Sequence, residues 1–524
     1  MHRLLSRFLF LPIFLSIAAA TLSPADAAHE LVLHTRQQVK AADSFNPKEK
    51  TLRWDARKTA LVVCDMWDKH WCAGATRRGG EMAPRMNQVV AEARRRGVLI
   101  IHAPSDTMAN YDGTSQRKFA QAARVAEAKI PLQRWCRIDL QREAPLPIDD
   151  SDGGCDCEPR CKNYRAWSSQ TKTIEIKEGD AVTDSTEAYN LMQQRGIENV
   201  IVLGVHINMC VLGRPFSIRQ MVYQGKNVVL MRDMTDAMYN PRARPFVDHC
   251  RGNELVVDHI EKYWCPSITS SDFVGGAPFA FKEDKRPHVV FVISEPEYKT
   301  EETLPLFARA ELESRGLRCT FVHSRAGKLN EFPDIAAVKN ADLLVLSVRR
   351  QIPPADQLEF IRAHLKAGKP LVGIRTASHA FQAGKGDVKA GWPTFDVEIL
   401  GGRYEGHYGK KVNEPSAHVK MVAAAAKHPV LAGVTVDEFP VTSHLYKNRD
   451  LAKSVTTLMT GRVDGQTEPA VWVNTAENRR VFYTSLGNPD DFALPNFRRL
   501  LLNAVFWSLD KPVAVREGER AAGK

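Results

Sequence analysis

The sequence predicts two doubly wound α/β domains in tandem, each with a mainly parallel sheet covered by helices on both faces. Three observations lead there. Short apolar runs alternate with longer helical segments between residues 59 and 263. Pro266 to Pro287, rich in Ser, Gly, Pro and charge, then breaks the pattern without an apolar period of its own. The alternation restarts at His288-Val289-Val290-Phe291-Val292-Ile293. At 524 residues the chain is too long for one core, and with 44% apolar and 25% charged residues most of it should be globular.

In order, residues 1–27 read as a secretory signal peptide. Arg3 and Arg7 supply the positive start, Phe8 to Leu22 the apolar stretch, and Ala25-Asp26-Ala27 an A-x-A cleavage site. An uncleaved anchor is the competing reading, but the apolar run is short for a span and Pro12 interrupts it. No other segment approaches the length of a membrane helix, so the mature protein is expected in the periplasm or outside the cell, without a membrane span. In such an oxidising compartment some of the ten cysteines should pair. The net charge of +11 is spread along the chain and not gathered in an aromatic-laced stripe, which argues against a nucleic-acid partner.

Residues 28–51 are expected to form an N-terminal arm, since 31 to 58 are polar without a sustained period. The first domain, 52–265, should contain strands near 59–65, 98–103, 172–177, 198–204 and 227–232. Helices are expected near 84–96, 115–127, 185–195, 210–224 and 253–263. Arg94-Arg95-Arg96-Gly97 fits a helix C-terminus, where cations meet the dipole and glycine closes the cap.

The stretch Gly204-Val205-His206-Ile207-Asn208-Met209-Cys210-Val211-Leu212-Gly213 follows the apolar run Val200-Ile201-Val202-Leu203. A strand handing over to a helix places Cys210 at the carboxyl edge of the sheet, where α/β proteins hold ligands. A thiol at a helix N-terminus is expected to have a lowered pKa; the alternative is a buried, inert cysteine. Asp65 ends Leu61-Val62-Val63-Cys64-Asp65 and Lys177 ends Thr173-Ile174-Glu175-Ile176-Lys177, so both can converge on the same edge. Together they supply a base for the thiol, a cation for the developing anion, and turn amides for an oxyanion hole.

On these residues, the region from about 52 to 264 resembles the isochorismatase-like cysteine hydrolases. The resemblance implies a Rossmann-type sandwich, a catalytic set of Asp65, Lys177 and Cys210, and a cis peptide at Val205-His206 in the oxyanion turn. It also implies covalent thioester-type chemistry on amides or ureas, although some members hydrolyse enol ethers without the cysteine. The metal-binding relatives carry an Asp and several His after the second strand. Here Ser105-Asp106-Thr107-Met108-Ala109-Asn110 keeps only Asp106, so no metal and no cofactor is expected.

Trp67 and Trp71 should line the pocket mouth, and Asn208 either shapes the pocket or stabilises the turn. Asp233 or Asp236 is a substrate or supporting contact, with helix capping by Asp236 as the competing reading. The insertion 131–171 holds Cys136, Cys155, Cys157 and Cys161. Its C-x-C-x-x-x-C spacing lacks the paired C-x-x-C arms of a structural zinc site, so a disulfide-stapled loop, lying as a lid over Cys210, is expected.

After the linker 266–287, residues 288–510 form the second domain and 511–524 a tail. Strands are expected at 288–293, 317–323, 342–347 and 370–375, with helices near 302–315, 355–367 and 496–509. Gly373-Ile374-Arg375-Thr376-Ala377-Ser378-His379, Leu400-Gly401-Gly402-Arg403-Tyr404-Glu405-Gly406-His407 and Ser485-Leu486-Gly487-Asn488-Pro489-Asp490-Asp491 resemble the ThuA-like family of trehalose utilisation. That resemblance implies a class I glutamine amidotransferase-like, flavodoxin-like fold and carbohydrate or keto-sugar substrates. The amidotransferase elbow needs a cysteine, which Ala377-Ser378-His379 lacks. His379, His407 and His444 suit acid/base work or sugar contacts, with Asp490 orienting one of them or capping the last helix; three satisfied histidines are the alternative.

The expectation is an exported hydrolase of a C–N bond in a small molecule, with an accessory carbohydrate-related ThuA-like domain and with homo-oligomerisation left open. The alternatives are a sugar-processing second domain beside an idle first one, and a non-catalytic carbohydrate-binding surface protein.

Overall fold

The computed structural model describes residues 29–41, 44–325, 327–384, 390–408 and 417–516. The expected signal peptide, 1–27, and residues 517–524 of the tail lie outside the described residues.

The first sheet has strands β1 (Glu30–Ala41), β2 (Ser44–Asp55), β3 (Thr59–Cys64), β4 (Leu99–Ala103), β5 (Ala181–Val182), β6 (Asn199–Val205), β7 (Asn227–Asp236) and β8 (Ser267–Ile268). Their order is β2-β1-β8-β7-β6-β3-β4-β5. β3 to β8 run parallel, and β1 joins β8 and β2 in antiparallel fashion. Helices α1 (Ala73–Arg96), α2 (Ser115–Gln121), α3 (Glu187–Gln194), α4 (Cys210–Gly213), α5 (Ile218–Tyr223), α6 (His249–Tyr263) and α7 (Ser271–Val274) complete the domain. Two apolar clusters sit on the opposite faces of the sheet: Val62, Val200 and Val202 face one, Leu61, Val63 and Ile201 the other. This is the double-sided burial that continuous apolar strands signal.

Five expectations need correction. The N-terminal arm is a hairpin: Leu31, Leu33 and Thr35 alternate inward, and the polar Thr35 and buried Gln38 hide the period of two in the sequence. Residues 172–177 form no strand; only Ile174 of that run is buried, and the Lys177 amide donates to Asp180 (2.7 Å) in the turn that leads into β5. The expected helix 210–224 is broken into α4 and α5. Pro215 bars the residue before it from helical geometry, and Arg214 is extended (φ −66°, ψ 156°). The linker is not free chain either: β8 and α7 lie within it, and Phe273 and Phe281 are buried in the first domain's core. α1, in turn, starts well before residue 84 and runs through Pro84.

The insertion is pinned from below by Glu143. Its buried carboxylate accepts from Arg219 Nη2 (3.0 Å), His259 Nε2 (2.8 Å) and Trp264 Nε1 (2.8 Å). Burial raises its pKa, but these donors outweigh it and hold Glu143 at about 2, against 4.5 ordinarily. A depressed carboxylate contributes stability that is full above its unfolded pKa and lost as pH falls toward the folded one. Urea unfolding should therefore show wild type losing stability between about pH 5 and pH 2, with Glu143→Gln less stable at neutral pH and flatter across that window. Equal pH slopes for the two proteins would remove Glu143 from this role.

The second sheet has strands β9 (His288–Ser294), β10 (Arg318–His323), β11 (Leu343–Val348), β12 (Leu371–Ile374), β14 (Ala417–Met421), β15 (Glu438–Val441), β17 (Val455–Val463), β18 (Gln466–Asn474) and β19 (Val481–Thr484). A separate ribbon pairs β13 (Arg403–His407) with β16 (Tyr446–Arg449). The sheet order is β10-β9-β11-β12-β19-β18-β17-β14-β15, parallel from β10 to β19 and antiparallel beyond. Helices α8 (Thr300–Phe307), α9 (Ala355–Lys366) and α10 (Pro495–Ser508) flank it. No helix among the described residues is long and apolar enough to cross a membrane.

Candidate functional site

At the carboxyl edge of the first sheet, β3 and β6 deliver two residues to one point. Gly204 makes this approach feasible: its φ is +109°, and a Cβ there would lie 2.0 Å from the Cys64 carbonyl oxygen. β3 ends and the chain turns at Asp65 (φ 45°), whose fully buried carboxylate accepts from the Ser105 amide at 2.7 Å. β6 ends in the cis peptide Val205-His206, and the turn hands Cys210 to the start of α4. Cys210 is buried beside Asp65 and Arg214, within reach of the charge of each. Arg214 Nε lies 3.3 Å from Asp65 Oδ2, and its Nη2 is 3.6 Å from Asp106.

Lys177 is not part of this group. Its ammonium pairs with Glu175 at 3.0 Å on the surface, with half of its side chain exposed. The cation at the site is Arg214, which the sequence reading missed. The signal was available in Arg214-Pro215, four residues past Cys210, where proline ends the helix and turns the arginine back over the sheet edge.

The electrostatics also depart from expectation. Burial pushes the Cys210 thiol well above its ordinary value, and the Asp65 carboxylate beside it adds to the rise. α4 has only four residues, too short a helix to offset this with its dipole. Asp65 is itself raised by burial, against the opposing pull of Arg214 and the Cys210 and Ser105 hydrogen bonds. The resting arrangement is thus a thiol, a carboxylate and a guanidinium in contact, with the proton on sulfur.

Aromatic side chains surround the approach. Trp67 donates through Nε1 to the Ser105 carbonyl (3.0 Å) and stacks on Trp167 (4.4 Å between centroids). Trp71 lies against His70 (5.2 Å), whose ring meets His206 edge-on at 4.9 Å. Burial drives His206 well below the usual imidazole range and His70 to about 4, so both rings are neutral near pH 7. The insertion reaches the site from the other side: the Cys136 amide donates to Gly213 (2.6 Å), and the Trp135 ring lies 5.6 Å from the Arg214 guanidinium.

Asn208 faces the insertion and not an open pocket: Nδ2 donates to Asp150 (2.7 Å) and Met238 O (3.1 Å), and Oδ1 accepts from the Met238 amide (2.9 Å). Asp233 is likewise no substrate contact, since its oxygens take the Ser270 amide, the Ser270 hydroxyl and the Phe279 amide. Asp236 caps no helix; it is fully buried between Arg78 Nε and His249 Nε2, each at 2.8 Å.

In the second domain, His379 is buried with Tyr404 stacked on it at 4.2 Å and Tyr446 at 6.0 Å. Its Nδ1 meets Ser378 Oγ at 3.1 Å, and burial with the nearby Arg350 and Arg349 keeps it far below the usual imidazole range. His407 is exposed and stacks on the buried His444 at 4.8 Å, and the Tyr446 ring bridges to His379. The three histidines therefore do cluster. Asp490 does not join them; it is exposed in the turn before α10, while its neighbour Asp491 is buried among Thr442, Ser443, Gly487 and Asn488.

The elbow after β12 is occupied by Arg375, a residue the sequence reading quoted without assigning it a role. It has φ 47° and is buried, with its guanidinium 3.8 Å from the Tyr298 ring centroid and 5.1 Å from that of Tyr446. Nη1 donates to Ser485 O (3.0 Å), while Nε and Nη2 meet no acceptor among the described residues.

Residues 59–249 match the isochorismatase domain family, and residues 289–508 match the ThuA family, described as trehalose utilisation. Among solved structures, a ThuA-like protein from Bacteroides uniformis is 16% identical with a TM-score of 0.33, covering 44% of this chain and 95% of its own. A cysteine hydrolase from Pseudomonas syringae pv. phaseolicola is 15% identical with a TM-score of 0.27, covering 42% and 92%. An isochorismatase family protein from Burkholderia thailandensis is 12% identical with a TM-score of 0.24, covering 41% and 93%. No curated protein matches the chain.

Proposed function

We propose that this chain, an isochorismatase domain followed by a ThuA domain, is an exported hydrolase that opens a C–N bond of a small molecule with Cys210 as nucleophile. The observation that carries the reading is the buried contact of Cys210, Asp65 and Arg214 at one sheet edge. As the sulfur attacks the carbonyl carbon, its proton passes to Asp65 and the carbonyl electron pair moves to oxygen. The Cys210 amide, first in its helix and without an acceptor there, together with the Arg214 guanidinium, faces that charge. Asp65 returns the proton to the leaving nitrogen as the C–N bond breaks, takes a proton from the water that cleaves the thioester, and hands it to the Cys210 sulfur as the C–S bond breaks. Arg214 keeps Asp65 ionised and balances the transient thiolate. Export rests on the composition of Met1 to Ala27.

The test is turnover across simple amides and ureas, with the acyl-enzyme caught by intact mass and mapped to Cys210. Cys210→Ala should show neither turnover nor adduct, and an active Cys210→Ala protein would end the proposal. Because burial raises Asp65, the acid limb of kcat/KM should fall at a pH above the ordinary carboxylate range, as the base takes up a proton.

The electrostatics predict opposite effects on two readouts. Asp65→Asn should abolish turnover yet speed alkylation of Cys210 near pH 8, because it removes the anion that raises the thiol and leaves Arg214 to favour the thiolate. If Asp65→Asn slows alkylation instead, the carboxylate is activating the resting thiol and the proton placement above is wrong.

A second reading places a sugar-related substrate in the ThuA domain. It is favoured by the buried Arg375 with two unmatched nitrogens, set among Tyr298, Tyr446 and His379. Turnover lost in His379→Ala and kept in Cys210→Ala would select it.

A further inference from the structure

The cysteines of the insertion are not stapled in pairs. All ten cysteines are free thiols, and Cys155 and Cys157 gather around Cys72, the residue just before α1, with Cys161 packed against them. The sequence reading counted only the insertion and so missed the fourth sulfur, which lies far back along the chain.

The geometry of the quartet is that of a shared centre. The ligand atoms of Cys72, Cys155 and Cys157 all lie within 4.8 Å of one another, and the Cys72–Cys157 sulfur separation is 3.8 Å. Four sulfurs placed about 2.3 Å from a zinc ion form a tetrahedron with edges of about 3.8 Å. Cys161 packs against the same cluster of Cys72 and Cys155, on the side of the three-sulfur group that faces the surface. Cys72, Cys155 and Cys157 thus each have two sulfur neighbours within 4.8 Å. Disulfide pairing would single out one neighbour for each, at a separation of about 2.05 Å.

The surroundings suit thiolates. The Gly74 amide donates to Cys157 Sγ at 3.2 Å. That donor belongs to the first turn of α1, whose 24 residues give a full positive end. Such amide–sulfur bonds are the outer shell that orients thiolate ligands and disperses their charge. The buried Arg78, on the same helix, adds a fixed cation through its pairing with Asp156.

We propose that Cys72, Cys155, Cys157 and Cys161 form a tetrathiolate site for a divalent, thiophilic metal ion of the zinc class, closed and structural because no ligand position is left open. The ion clamps the insertion to the start of α1, next to Trp71 and the candidate pocket. This stands apart from the reaction assigned to Cys210 and departs from the sequence expectation of no metal.

The experiment is metal analysis of the full-length chain, purified without chelator and after loading with zinc, joined to cobalt substitution. One ion per chain and a cobalt spectrum with intense thiolate charge-transfer absorption and tetrahedral ligand-field bands are expected. Cys157→Ser/Cys161→Ser should lose the ion, while Cys136→Ser, a buried cysteine of the same insertion outside the quartet, should keep it. Cobalt absorption reads wild type, so the conclusion does not depend on the double variant folding. A chain that takes up no zinc or cobalt, or mass mapping that finds these four cysteines in disulfides in the folded protein, overturns the proposal.

Discussion

Arg214→Ala should reduce turnover by about two to three orders of magnitude, while Lys177→Ala leaves it within about two-fold. The arginine side chain is the positive group in contact with both Asp65 and Cys210, whereas the lysine points to solvent beside Glu175. Without the guanidinium, Asp65 is a buried carboxylate without its charged partner. It escapes that cost by binding a proton, which removes the base. Arg214→Lys should recover part of the rate, because an ammonium restores charge but not the planar set of donors. Circular dichroism and thermal melts of each variant separate loss of chemistry from loss of fold. Wild-type turnover in Arg214→Ala, or a collapse of turnover in Lys177→Ala, would return the catalytic cation to the surface lysine.

Replacing Arg78 by leucine should destabilise the first domain by about 3–5 kcal/mol, the range found when one partner of a buried ion pair is removed. Arg78 is fully buried and bridges Asp236 (2.8 Å), Asp156 (2.5 Å) and Glu283 (3.3 Å), drawn from β7, the insertion and the segment after α7. Burial alone would raise Asp236, but Arg78 and His249 hold it well below the usual carboxylate range. Its charge is therefore retained across the working pH range and has no neutral fallback near pH 7. A drop in melting temperature of about 10 °C or more is expected for a domain of this size. Arg78→Leu combined with Asp236→Asn should cost less than the sum of the single changes, since the pair acts as a unit. Strict additivity would show that the two charges are independently solvated.

Much of the architecture was legible in the chain, because buried parallel strands announce themselves as unbroken apolar runs. Leu61-Val62-Val63 and Val200-Ile201-Val202-Leu203 fall where expected and place Asp65 and Cys210 together. The misreadings have physical causes. Thr173-Ile174-Glu175-Ile176-Lys177 alternates like a strand, yet only Ile174 finds a core to enter, so Lys177 was assigned to an edge it never reaches. Arg36 and Gln38 on β1 look like surface polarity in sequence, but both hydrogen-bond to the buried Glu261, and the hairpin they sit on was taken for a loose arm. The raised pKa of Cys210 depends on burial and on an anion from another strand, neither of which a local helix-start motif carries. The sulfur quartet was hidden for the same reason: spacing within one segment says nothing about a fourth residue supplied from α1.

The extended backbone at Arg214, imposed by Pro215, ties nucleophile and cation into one short peptide. In an arrangement with a lysine on a neighbouring strand, two separate parts of the gene must be kept in step; here a single C-x-x-x-R-P run carries both side chains. Such a segment is a compact cassette, in which the charge next to the thiol can be altered without touching the strands of the sheet.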